Sequence, residues 1–301
     1  MFDRLTLTED LLDCRGAIVA RRGTVISPEA IAEVAQGAPG AHRQRLAETA
    51  LERDVLAPLT DATYRHLFHG DSAREAVQRV IESAMLPDVL VEELVHARRE
   101  QPALHAHAFA TAAVAVRMLL LVVGPARGLP DLAAAALLHD LGMRHLPRKL
   151  REPPERLPRE DALRIAAHPL TGAYHLARVL GAHPAVAAAR SHHWRCGQGY
   201  PALGAPPSRS IEVVSVASAF AALTQPRAFR SAAYSARGAA DVLVADAAAG
   251  HADTTTVRLL VHALRGGRGD PRAVKFGHGR EGHAPEVNRY APVEAPPRAY
   301  V

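Results

Sequence analysis

The stretch Leu132–Gly142, LAAAALLHDLG, decides how the rest of the chain is read. An apolar run ends in an imidazole and a carboxylate side by side, His139-Asp140, with Gly142 just beyond. Burying a charge costs several kcal/mol unless it is paired or coordinates a cation. Metal ligation supplies that compensation, because the imidazole offers a nitrogen and the carboxylate can bridge two cations. Taken alone, the pair reads as surface or capping residues. Its company changes the reading. His107 lies upstream on an apolar helical stretch, His168 opens HPLTG (168–172), and His192-His193 precede GQGYP (197–201). One histidine per helix, repeated along the chain, predicts a bundle with a metal site in its core. Imidazoles around one shared aspartate suit iron, manganese or zinc rather than calcium.

Outward from that centre the signals are helical. A buried helix is expected over 107–123, a second over 131–141 opened by Pro130-Asp131, a third from about 158 to 180, and others over 184–193 and 211–227. Residues 197–207 form a loop rich in glycine and proline. The first 40 residues are a small β/α segment: Ala17–Ala20 and Thr24–Ile26 are β-like, and Ser27-Pro28-Glu29 opens a helix with a cap, a proline and an early acid. Residues 41–100 read as a helical connector with breaks at Pro58, Gly70 and Pro87. Residues 101–240 hold the metal-site bundle. Residues 241–301 give a last helix and an extended tail, because Pro285, Pro292, Pro296 and Pro297 oppose helix there. The expected class is an all-α core with a small N-terminal segment and an extended C-terminal tail.

The chain has 301 residues, 48% of them apolar, enough for a sizeable core and too many for overall disorder. Its formal charge of +5 is carried almost wholly by arginine, scattered among acids rather than clustered on one face, so nucleic acid is not the expected partner. MFDRLTLTED at the start has no secretory apolar core. Phe109–Val123 is broken by Arg117 and shorter than the roughly 20 apolar residues of a membrane span. Cys14 and Cys196 make no disulfide framework. A soluble, cytoplasmic chain is expected.

The ordered motifs LLHDLG (137–142), Leu146-Pro147, His168-Pro169 with Gly172, and Gly199-Tyr200-Pro201, followed by VVSVASAFAALTQPRAFR (213–230), resemble the HD-GYP subgroup of the HD phosphohydrolases over roughly residues 100–240. Leu11–Gln36 is similar to the small segment that often precedes such domains. The resemblance implies a bacterial signalling protein with an HD-type helical bundle holding two or three metal ions. It implies hydrolysis of the phosphodiester bonds of cyclic di-GMP by a metal-activated water. It places His107, His139, Asp140, His168 and His192 at ligand positions, with Asp140 the shared, catalytic one. His193 joins them if one residue is deleted before Tyr200; without a gap, Ser191 and His192 take the two histidine positions. Tyr200 and Arg227 become candidate substrate contacts, and the loop at Tyr200-Pro201 is either a structural turn or a docking point for a protein partner. A homodimer is compatible with such bundles.

The chain departs from the family pattern in one electrostatic direction. Ser218 stands where the family has a second aspartate, Ala103 where some members have a glutamate, Met143 where a lysine contacts phosphate, and Cys196 where an aspartate precedes Gly197. Trp194 or His193 replaces a further glutamate, depending on the register. With fewer anions, one or two ions are expected to bind, weakly, and the half-site of His107, His139 and Asp140 suffers most. Two functions follow: a module that binds a nucleotide or protein with turnover reduced or lost, and an active phosphodiesterase. Trp194 is expected over the pocket mouth, Cys196 as a plain loop thiol, His105 on a helix surface, and His251, His262, His278 and His283 in solvent.

Overall fold

The computed structural model describes residues 2–151 and 158–276. The prolines from Pro285 onward, His278 and His283 lie outside the described residues, and so does the expected extended tail beyond 276. In the N-terminal segment, β1 (Leu5–Thr6) pairs antiparallel with β4 (Val25–Ile26), and β2 (Leu11–Leu12) with β3 (Ile18–Ala20). Leu11, Val19 and Ile26 face the core while Leu12, Ile18 and Val25 are exposed, the alternation of a half-buried ribbon. Helix α1 (Pro28–Gln36) starts as its sequence predicts, with the Ser27 hydroxyl accepting from the Ala30 N–H at 3.3 Å and Pro28 in the first turn.

The connector is less helical than expected. Helices α2 (Leu56–Thr60), α3 (Asp71–Glu82) and α4 (Asp88–Glu100) are accompanied by β5 (Arg43–Arg45), which pairs antiparallel with β6 (Met85–Pro87). Strands this short carry too little alternation to stand out from helical spacing.

The bundle follows as α5 (Pro102–Val123), α6 (Leu129–Leu138), α7 (Arg148–Arg151), α8 (Arg159–Ala166), α9 (His168–Leu180), α10 (Pro184–Ser191) and α11 (Arg209–Thr224). Helices α12 (Ala236–Ala248) and α13 (Thr254–Leu264) then cover α11. The protein is mostly helical around one core, the class its patterning predicts. Helix α5 starts at Pro102, five residues before the helix expected over 107–123, and by length and composition its 22 residues would cross a bilayer. Here it is the central helix, packed against α3, α4, α6 and α11. Ala133–Ala136 are all fully buried where α6 meets α5 and α10, because small side chains let helix axes approach closely.

Besides α11, which stops at Thr224 rather than 227, three helices end earlier than expected, each at a histidine. α6 stops at Leu138 rather than running to 141, and α10 stops at Ser191 rather than 193. The single helix expected over 158–180 is two, divided at Ala167. Pro169 explains the break: it has no N–H to continue the ladder, and its ring disfavours helix in the residue before it.

A 3-10 turn, Leu141–His145, links α6 to α7 and lies against the first turn of α9. The contact is backbone on backbone. A Cβ on Gly142 would fall 1.9 Å from the His168 carbonyl oxygen, and one on Gly172 would fall 2.8 Å from the Gly142 nitrogen. These glycines let the turn carrying Asp140 reach the helix that starts at His168. Gly142→Ala is therefore expected to lower unfolding free energy by about 3 kcal/mol, the upper end of ordinary overpacking, because backbone must move. A urea midpoint within about 0.5 kcal/mol of the parent would show that the contact is not tight.

Candidate metal centre

The three early helix endings build the site. A helix leaves its last carbonyls without N–H partners, and here imidazoles take them. The His139 Nδ1 bonds the Ala136 carbonyl at 2.7 Å, the His168 Nδ1 bonds Ile165 at 2.6 Å, and the His192 Nδ1 bonds Ala189 at 3.0 Å. A carbonyl only accepts, so each Nδ1 carries the ring proton and donates. Each Nε2 is then a bare lone pair. Carbonyl bonds of this kind fix the ligating tautomer at metal centres. The C-terminal ends of α6, α8 and α10 meet here, each adding about half a negative charge.

Asp140 sits between two pairs of rings. Its Oδ1 is 3.1 Å from the His168 Nε2 and 3.5 Å from the His192 Nε2. Its Oδ2 is 3.7 Å from the His107 Nε2 and 3.9 Å from the His139 Nε2. The two rings of each pair are also close: His168 and His192 at 3.1 Å between Nε2 atoms, His107 and His139 at 3.3 Å. Ligands about 2.1 Å from one cation stand about 3.0 Å apart at right angles and about 3.4 Å apart in a tetrahedron. The Asp140–His168 edge and both ring–ring edges lie in that range, the His192 edge at 3.5 Å is just above it, and the edges from Oδ2 to His107 and His139 are longer. The ligand atom of His193 comes within 4.8 Å of those of Asp140, His168 and His192.

The donor set fits a divalent transition metal. Asp140 Oδ1 is buried without a hydrogen-bond donor, and the two Nε2 atoms beside it have no proton to give. Burial pushes His139 down to about 4, and His107 and His193 well below the ordinary imidazole value. The carboxylate is ionised and these rings are neutral near pH 7, the forms that bind metal.

The remaining expected residues fall around this centre. Tyr200 stacks on the His193 ring with centroids 4.5 Å apart, and the loop that places it doubles back so tightly that a Cβ on Gly199 would lie 1.7 Å from the His193 carbonyl oxygen. Arg227 follows α11 and is close enough for its charge to act on His107. Trp194 is half-buried. Cys196 is exposed and lies outside both histidine-aspartate groups found among the described residues. The Ser218 hydroxyl is 3.0 Å from the His139 Nε2 and 3.2 Å from the His107 Nε2.

Two histidines expected in water are inside. His105 is buried, with its Nδ1 3.1 Å from the Leu94 carbonyl oxygen and its Nε2 3.2 Å from Asp54. It faces α4 and the connector, surfaces that helical spacing alone does not reveal. His262 is buried on the face of α13 that packs on the bundle.

Sequence spacing gave no sign of the fastening beneath the site. Arg144, next to Met143, forms an ion pair with fully buried Glu93 on α4. It also donates to the Leu12 carbonyl, while the Cys14 N–H donates to Glu93 at 2.8 Å. The same turn carries His145, whose ring lies 5.6 Å from that of His175. Burial lowers both, His175 to about 4. The unfolded chain takes up these protons below about 6.5, while the folded one resists to about 4 at His175 and well below the ordinary imidazole range at His145. The stability from these two rings is therefore present above pH 6.5 and lost as pH falls towards 4, with a slope of up to about 1.4 kcal/mol per pH unit for each ring, while Glu93, raised by burial to about 7, acts with the opposite sign and offsets part of it. Urea midpoints at pH 7 and 5 check this; a flat profile would contradict it.

The HD domain family matches residues 89–256, more than half of the chain and all of the centre. No curated protein matches it in sequence. Among solved structures it is similar to the HD domain of the L. monocytogenes phosphodiesterase PgpH in complex with cyclic-di-AMP, at 16% identity and a TM-score of 0.45, over 58% of this chain and 94% of that one. A second structure of the PgpH HD domain aligns at 15% identity and a TM-score of 0.39, over 58% of this chain and 95% of that one.

Proposed function

The chain belongs to the HD-domain family, and from that premise we propose a metal-holding module of cyclic-dinucleotide signalling in which phosphodiester turnover is reduced or lost. The observation that carries the reading is the convergence of Asp140 Oδ1 with the Nε2 atoms of His168 and His192, lone pairs with no proton among them. Asp140, His168, His192 and His193 would hold an iron, manganese or zinc ion. Bound there, such an ion supplies positive charge for phosphate oxygens and acidifies a water.

The chain's own residues do the rest. Ionised Asp140 orients the cluster and offers one oxygen to each ring pair. In this reading Tyr200, stacked on His193, is the contact assigned to a base, and Arg227, near enough to act on His107, is the contact assigned to a phosphate. The choice of cyclic di-GMP within the phosphoester class rests on the Gly199-Tyr200-Pro201 motif in its place after the histidine pair. Reduced turnover rests on two side chains. Met143 brings no cation where the family pattern has a lysine, and Ser218 brings no anion where it has an aspartate.

The second reading, an active phosphodiesterase, is favoured by the gathering of the five retained ligand residues at one place. One pair of measurements separates the two. Protein loaded with Mn²⁺ or Fe²⁺ is titrated with cyclic di-GMP and cyclic di-AMP by calorimetry, and cleavage is followed by chromatography. The proposal expects metal-dependent binding with little or no cleavage. Multiple turnover that Asp140→Ala abolishes would establish the second reading instead, and no binding of either nucleotide would remove the substrate class.

A further inference from the structure

The two halves of the centre differ in where their protons can lie, and from this we infer that the chain holds one ion, with a hydrogen-bonded His107–Ser218–His139 chain closing the other half without metal. The inference rests on the reading of Asp140 as a metal ligand.

In the His168 half, both rings have spent their protons on carbonyls of Ile165 and Ala189. What meets Asp140 Oδ1 is acceptor against acceptor at 3.1 and 3.5 Å. A cation resolves that arrangement; the protons already placed do not.

The His107 half is different because His107 sits inside α5 rather than at a helix end. The carbonyls around it are engaged in the helix ladder, and its Nδ1 is buried with no hydrogen-bond partner. A proton on that Nδ1 would be a buried donor without an acceptor, which costs more than a bare acceptor does. The ring proton therefore belongs on Nε2. From there it donates to the Ser218 oxygen at 3.2 Å, and the Ser218 hydroxyl donates to the bare Nε2 of His139 at 3.0 Å. Three polar groups are satisfied by two protons.

A protonated Nε2 on His107 cannot ligate. An aspartate at 218 would reverse this, because a carboxylate has no proton to give His139 and adds a negative charge between the rings. Ser218 is thus the residue that sets the ion count.

The test loads the full chain with excess Mn²⁺, removes free metal by gel filtration and counts ions per chain by elemental analysis. One ion is expected for the parent and for Ser218→Ala, two for Ser218→Asp, and none for His168→Ala. Two ions in the parent would overturn this inference while leaving the metal-site reading intact. None in the parent would overturn the reading beneath it. Long-range proton–nitrogen spectra of the metal-free parent give an independent measurement that needs no variant. His107 protonated on Nε2 and His139 on Nδ1 are expected, and His107 protonated on Nδ1 would overturn the inference.

Discussion

Asp140→Ala is expected to weaken metal binding by at least 100-fold, the largest loss of any single substitution at the centre. Changing a residue that merely orients a ligand already costs metalloproteins 10- to 100-fold. Asp140 does more, because its two oxygens face both ring pairs and it is the carboxylate common to both candidate ligand groups. Without it, neutral imidazoles alone would face a divalent charge. The fold should survive, since the carboxylate is not part of the apolar core and the rings keep their carbonyl bonds. Titration of apo protein with Mn²⁺ or Zn²⁺, beside a circular-dichroism melt, separates the two effects. Parent-like affinity in this variant would show that the histidines bind metal without the shared acid.

Glu93→Ala should be the most destabilising substitution outside the centre, by about 3–5 kcal/mol, the loss seen when a buried ion pair is broken from one side. Burial pushes the Glu93 carboxyl up to about 7, although Arg144 beside it pulls the other way. Removing it leaves a buried guanidinium that still bonds the Leu12 carbonyl and the neighbouring His145. The Cys14 N–H loses its acceptor at the same time, so the N-terminal ribbon should loosen from α4. Urea denaturation measures the first effect and the alkylation rate of Cys14 measures the second. A loss below about 1 kcal/mol would mean that the pair is replaceable by packing.

How much of this was legible in the sequence depended on the range of the signal. The helices around Ala133–Leu138 and Pro184–Ser191 announced themselves by apolar runs and by proline at their starts. Motif order brought together the histidines that the structure gathers around Asp140. Where helices end was less legible. The expectation of one histidine within each helix misses that His139, His168 and His192 sit at helix boundaries, where free carbonyls set their tautomers. Apolar periodicity does not report which carbonyls are free. Pairings between distant segments left still less trace. Glu93 with Arg144, Cys14 with Glu93, and the ribbon of Arg43–Arg45 with Met85–Pro87 are contacts of tertiary packing, each made by residues that look ordinary in their local context. Ser218 lies between these cases. The sequence shows a missing carboxylate, and only the positions of two rings show that a hydroxyl has taken over its neighbours.

Crystals of the metal-loaded chain, with anomalous scattering recorded at the absorption edge of the metal, test the central claim most directly. A peak about 2.0–2.2 Å from Asp140 Oδ1 and from the Nε2 atoms of His168 and His192 is predicted. A peak elsewhere in the chain, or none at full metal loading, would contradict it.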